Sequence, residues 1–166
     1  MLIFLLLPFY VFASLLVHEL GHLFTARFCQ VPASELGLGI GPRLLMFKVR
    51  GLRFCLRPFP IASSVLLDGK ALHDRSLTQQ LLVHLGGILF NLIAGCSAYG
   101  TTFGWINLLL AAGNLLPLYH HDGWRCGILI VRAILKHKNE PVERAFTYSG
   151  AFVSLVITWQ VIRVFV

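Results

Sequence analysis

The stretch that decides the architecture is Leu15-Leu16-Val17-His18-Glu19-Leu20-Gly21-His22-Leu23-Phe24-Thr25-Ala26. Apolar residues continue back from it to the first residue, and Glu19 is the only formal charge in 1–26. About 26 helical residues rise about 39 Å, enough to cross a hydrocarbon layer of about 30 Å. A cleaved secretory leader fits less well, because the segment lacks a basic start and a clear small-residue cleavage site, and its apolar run is too long. Pro8 should kink the helix or mark its first turn. One helical turn separates His18 from His22, so both imidazoles share a face, with Glu19 beside them. A polar contact between helices is the plainer reading of this trio. Inside a membrane such groups are costly without a function, whereas the HExxH spacing suits a divalent metal with a base next to it.

The composition supports a bilayer as solvent. Hydrophobic residues make up 57% of the 166 and charged residues 13%, about half the charged share of an ordinary soluble domain, roughly 25%. The net charge of +7 is distributed in blocks: eight of the fourteen Lys/Arg fall in 27–75, five in 125–144, and the last is Arg163. Basic blocks alternating with apolar runs mark loops on the cytoplasmic side rather than a nucleic-acid surface. The reading is an all-α polytopic membrane protein of one membrane-embedded unit, 1–166. It has about four transmembrane helices, near 1–26, 77–99, 102–118 and 146–166. The N- and C-termini and the region near 100 lie outside, while 27–75 and 120–145 lie inside. Cys29, Cys55, Cys96 and Cys126 show no metal-ligand spacing and read as unpaired thiols.

The first basic block is not helical in character. Leu44 to Val49 and Arg53 to Arg57 are apolar and basic runs separated by Arg50-Gly51-Leu52, which predicts a strand–turn–strand unit. Pro58 and Pro60 should end the second strand, and Asp68-Gly69 marks another turn. A small membrane-associated β-hairpin or sheet is therefore expected at about 43–65, after the first helix. Gly39, Gly41 and Pro42 read as a tight turn near the metal site.

A catalytic zinc usually takes three protein ligands and leaves one position for water. Beyond His18 and His22, the candidates beside other spans are His84, His120, His121 and Asp122. Glu35, Asp68 and Asp74 lie in the loop and are less well placed. Asp122-Gly123 follows the third span on the same expected membrane side as the histidines, and it is equally a plain turn-forming pair. His84, on an apolar helix, reads more simply as a hydrogen-bonded interior residue.

Four motifs in order make the chain resemble the site-2-type intramembrane zinc proteases. They are His18-Glu19-Leu20-Gly21-His22 with Ala26-Arg27, then Gly39-Ile40-Gly41-Pro42, Gly87-Ile88-Leu89-Phe90-Asn91, and Asn114-Leu115-Leu116-Pro117 with Asp122-Gly123. The resemblance covers about 14–125. It implies zinc held by His18, His22 and Asp122, with Glu19 as general base. It also implies that Asn91 steadies the substrate carbonyl or the oxyanion, and that the 44–57 hairpin receives substrate as an added strand. Three departures stand out. Ile88 replaces a usual proline, Ala62-Ser63-Ser64 replaces a usual Gly-Gly-aromatic turn, and His120-His121 offers an auxiliary metal ligand. The chain has no room for the PDZ insertion of some members, which leaves regulation to the substrate, a membrane partner or a second copy.

The expected activity is hydrolysis of a peptide bond in or beside a substrate's transmembrane segment, in a bacterial-type cytoplasmic membrane with the site toward the cytoplasm. The expected partners are a transmembrane protein substrate and the lipid bilayer, not nucleic acid. A catalytically silent binding protein of the same fold is the alternative, and the intact Glu19 argues against it. A metal transporter would need polar residues along a whole pathway, whereas here they gather at one side.

Overall fold

The computed structural model describes residues 2–165. The chain divides into two compact units, 1–112 and 113–166. In the first, α1 (Leu2–Phe28) leads into strands β1 (Ala33–Ile40), β2 (Leu45–Val49), β3 (Leu52–Leu56) and β4 (Phe59–Leu67). A short helix α2 (Gly69–His73), then α3 (Leu77–Ser97) and most of α4 (Thr102–Leu115), complete it. The second unit holds α5 (Asp122–Leu135) and α6 (Glu140–Phe165).

The fold is mixed rather than all-α, because the loop after α1 is a four-stranded sheet in the order β2-β3-β1-β4. The expected hairpin is present as β2–β3, with Phe47 opposite Phe54 and their rings stacked at 5.1 Å. The glycine stretch around 37–39 forms β1, the central strand, parallel to β3 and antiparallel to β4. Gly39 sits where the β1–β4 register shifts, at φ +89°, and a Cβ there would stand 2.7 Å from the Arg57 carbonyl oxygen. Only glycine fits both constraints. Pro58 follows the end of β3 as expected, but Pro60 does not end a strand: the chain resumes at Phe59 as the edge strand β4, a position that tolerates proline.

Two of the four expected spans meet the length and apolarity that a bilayer asks for: Leu6–Phe28 and Leu77–Ser97. Pro8 lies inside α1. The helix α3 starts where a capping box fixes it. Ser76 Oγ accepts from the Gln79 amide, and Gln79 Oε1 accepts from the Ser76 amide. The third expected span contains a helix of only 14 residues, about 21 Å long against a hydrocarbon core of about 30 Å. The fourth lies in α6, which is long enough at 26 residues but mixes Thr147, Ser149, Ser154, Thr158 and Gln160 among its apolar residues.

In the first unit, Ala26, Cys29, Val31 and Val83 form a buried cluster, against which Leu67, Leu72 and Leu82 pack. It pins the end of α1 to the start of α3 and to the end of β4. All four cysteines are free thiols, Cys96 exposed and the others buried.

Candidate metal centre on the first helix

The site is positioned by a close crossing of α1 and α3, and glycines make the crossing close. A Cβ on Gly86 would stand 2.6 Å from the Gly21 carbonyl oxygen, and one on Gly21 would stand 2.9 Å from the Gly87 Cα. Small residues of this kind let helix backbones approach in lipid, where apolar side chains gain little by leaving a solvent as apolar as themselves. Thr25 adds its hydroxyl, which donates to the Gly21 carbonyl at 2.9 Å.

Within this crossing His18 and His22 meet edge-on, with their Nε2 atoms 3.2 Å apart. His18 is 7% exposed and Glu19 6%. Each ring is also tied through its other nitrogen: His22 Nδ1 donates to the Val83 carbonyl at 2.8 Å, and His18 Nδ1 lies 3.4 Å from the Asn91 amide. Gly87 closes the pocket from α3. A Cβ there would stand 2.6 Å from both Nε2 atoms.

The donor set fits a zinc ion. The bond from His22 Nδ1 to a carbonyl puts the neutral ring's proton on Nδ1 and its lone pair on Nε2. At a zinc–nitrogen distance of about 2.05 Å, nitrogens 3.2 Å apart subtend about 103°, close to tetrahedral. Among the described residues the Asn91 Oδ1 has no hydrogen-bond partner, although the residue is fully buried. With the amide turned, Oδ1 accepts from His18 Nδ1–H, and both histidines then present lone pairs to one point. Ligand histidines commonly donate the outer N–H to a carbonyl in this way.

Glu19 accepts a hydrogen bond of 2.8 Å from the Ser63 hydroxyl on β4. Sequence reasoning passed over this contact, although Ala62-Ser63-Ser64 had stood out as a departure. It also missed a buried polar pair one turn before His18, where Asn107 Nδ2 donates to Ser14 Oγ at 2.8 Å. The signal was there: a polar residue amid an apolar helix.

Each remaining candidate has its own local setting. Asp122 opens α5 in the second unit, where Gly123 lets the helix start lie against the Leu115–Leu116 backbone, with a Cβ there only 2.6 Å from the Leu116 carbonyl oxygen. His121 Nδ1 donates to the Gly113 carbonyl at 2.8 Å, and His120, at positive φ, holds its ring tilted against Tyr119. Burial, and next the Asp122 carboxylate, push the Cys126 thiol up to about 11. Glu35 is engaged with Arg57 and Arg53, Asp68 caps α2, and Asp74 ends it. His84 is half-buried on α3.

Comparison with known proteins agrees with this geometry. Residues 6–103, which carry α1, the sheet and α3, match the model of peptidase family M50. A Thermotoga maritima protein named "Putative zinc metalloprotease" is 33% identical over 117 residues, 62% of this chain and 23% of that protein. A Helicobacter pylori protein of the same name is 31% identical over 108 residues, 57% and 30% of the two chains. An Arabidopsis thaliana protein named "Probable membrane metalloprotease ARASP2, chloroplastic" is 28% identical over 93 residues, 49% and 21%. The chain thus spans less than a third of the length of each of these relatives.

Proposed function

This chain belongs to peptidase family M50, and from that premise we propose that it is a membrane zinc protease hydrolysing a peptide bond in or beside a transmembrane segment of its substrate. The observation that carries the reading is the convergence of the two Nε2 atoms at 3.2 Å, each ring held from behind, with a buried carboxylate next to them. Asp122 is assigned as the third ligand from its place in the Asn114–Gly123 motif. A bound zinc supplies Lewis acidity and brings the pKa of water to about 7.

The chain's own residues supply the rest. Glu19 takes a proton from the attacking water and delivers it to the departing amine nitrogen. Asn91 orients His18 through Oδ1, and its Nδ2 is then the donor left for the substrate carbonyl. A transmembrane helix shields its peptide bonds, so the substrate segment has to be extended and its backbone paired elsewhere. The sheet offers a place for it as an added strand. The basic residues of 27–75 support a reading with this end of α1 toward the cytoplasm, in a multi-pass chain of a bacterial-type membrane.

The test is Glu19→Gln beside Asp122→Ala in purified protein. Glu19→Gln should keep stoichiometric zinc and lose cleavage of a membrane substrate by about 100-fold or more. Asp122→Ala should lose the metal. Cleavage by Glu19→Gln at the wild-type rate would overturn the mechanism, and full zinc in Asp122→Ala would overturn the ligand set. Normal zinc with no cleavage by the wild type across many membrane substrates would favour a silent binding protein.

A further inference from the structure

We propose that Ser63 is a positioning residue that sets the Glu19 carboxylate for catalysis and ties it to the strand β4. This rests on the assignment of Glu19 as the base. Burial alternates along β4: Ser63, Val65 and Leu67 are half-buried, while Ala62, Ser64 and Leu66 are exposed. The inward face packs on the end of α1, Leu67 reaching the cluster around Ala26. Alternation on such a face calls for an apolar residue at 63. A serine stands there instead, opposite Glu19, and its hydroxyl donates to Oε1 at 2.8 Å.

The consequence for the carboxylate is specific. A side chain 6% exposed has little water to satisfy it, and a buried carboxylate without donors is costly. The Ser63 hydrogen bond occupies one oxygen and restricts rotation about the last side-chain bond. Oε2 is thereby left as the atom that exchanges protons with water and the leaving amine. The donor is carried on the outermost strand of the sheet, which pairs with β1 alone among the described residues. A segment added at that edge would bear on the strand that holds the base, so substrate occupancy and base geometry share one element.

The experiment compares Ser63→Ala, Ser63→Thr and Ser64→Ala in the full chain, with a single-site membrane substrate. Zinc content and melting temperature are read alongside kcat and KM. Ser63→Ala should keep its zinc and its fold, melt somewhat below wild type for the donor lost to Glu19, and lose kcat by about 10- to 100-fold, the scale of a misplaced catalytic group, with KM within about twofold. Ser63→Thr, which retains the hydroxyl, should return kcat to within about threefold of wild type. Ser64→Ala, on the exposed face, should match wild type. In a Glu19→Gln background Ser63→Ala should add no further loss, because both act through one group. Wild-type kcat in Ser63→Ala overturns the proposal, as does equal loss in Ser63→Thr and Ser63→Ala, or loss through KM alone. If Glu19→Gln is inactive while Ser63→Ala is normal, this inference fails and the assigned base stands. If Glu19→Gln is fully active, both fall together.

Discussion

Replacing Gly87 by alanine probes the helix crossing at its most sensitive point. The added Cβ would stand 2.6 Å from His18 Nε2, His18 Cε1 and His22 Nε2, where ordinary contact begins at 3.4 Å. About 0.8 Å has therefore to be found. The backbone of α3 is held by the Gly21–Gly86 approach, so the imidazoles give way, and they do so at the atoms that bind the metal. Zinc–ligand distances tolerate about 0.2 Å, a quarter of the displacement. Overpacking costs about 1–3 kcal/mol, which at 1.4 kcal/mol per tenfold weakens zinc binding about 5- to 150-fold. Because the clash falls on ring ends and not on backbone, the metal-free variant should melt close to wild type. Competition titration against a chelator of known affinity reads the first quantity, and melting with and without zinc reads the second. Gly113→Ala, where nothing lies within 4 Å of the added atom, is the control. Zinc affinity in Gly87→Ala within twofold of wild type would refute the idea that this approach fixes the ligand geometry.

Further outcomes follow from other contacts. Asn91→Ala removes the group behind His18 and should lower zinc affinity about 10- to 100-fold while leaving the fold intact, read by the same titration. Gly39→Ala forces a side chain into positive φ against the Arg57 carbonyl and should destabilise by more than about 1 kcal/mol, read by denaturant unfolding. The doubly hydrogen-bonded Arg132 holds the Glu143 carboxyl below the usual range. A depressed carboxyl stabilises the fold above its unfolded pKa, about 4.3, and loses that contribution as pH falls through its lowered value. With Arg132 side chain 36% exposed, the contribution is about 1 kcal/mol or less. Glu143→Gln should flatten that part of the melting profile between pH 6 and 3, and an unchanged profile would show the pair to be inert.

What the sequence made legible follows its local rules. The i, i+4 spacing of His18 and His22 needs only a helix to bring the rings together. The β2–β3 turn at Arg50-Gly51 is equally local, and the start of α3 at Leu77 follows a break in the apolar pattern. The strands β1 and β4 were hidden for a different reason. β1 is glycine-rich and gains its place by pairing with residues about twenty and thirty positions later, and β4 opens among prolines. No window along the chain contains those partners. The third expected span was read from apolar composition up to Pro117, but composition does not say where a helix ends. The hydrogen bond from Ser63 to Glu19 joins residues 44 apart, and the pattern showed only that position 63 was unusual.

The sheet order also sets a schedule for assembly. The strand β1 leaves the ribosome before any of its neighbours, yet it lies between β3 and β4 in the finished sheet. During synthesis one edge must wait about sixteen residues for β3 and the other about thirty for β4, while the hairpin after it closes on its own. The histidines wait longer still. Their supports at Val83, Gly87 and Asn91 come more than sixty residues after His22, so a nascent chain halted before the second long helix would carry the metal-binding pair without the scaffold that aims it.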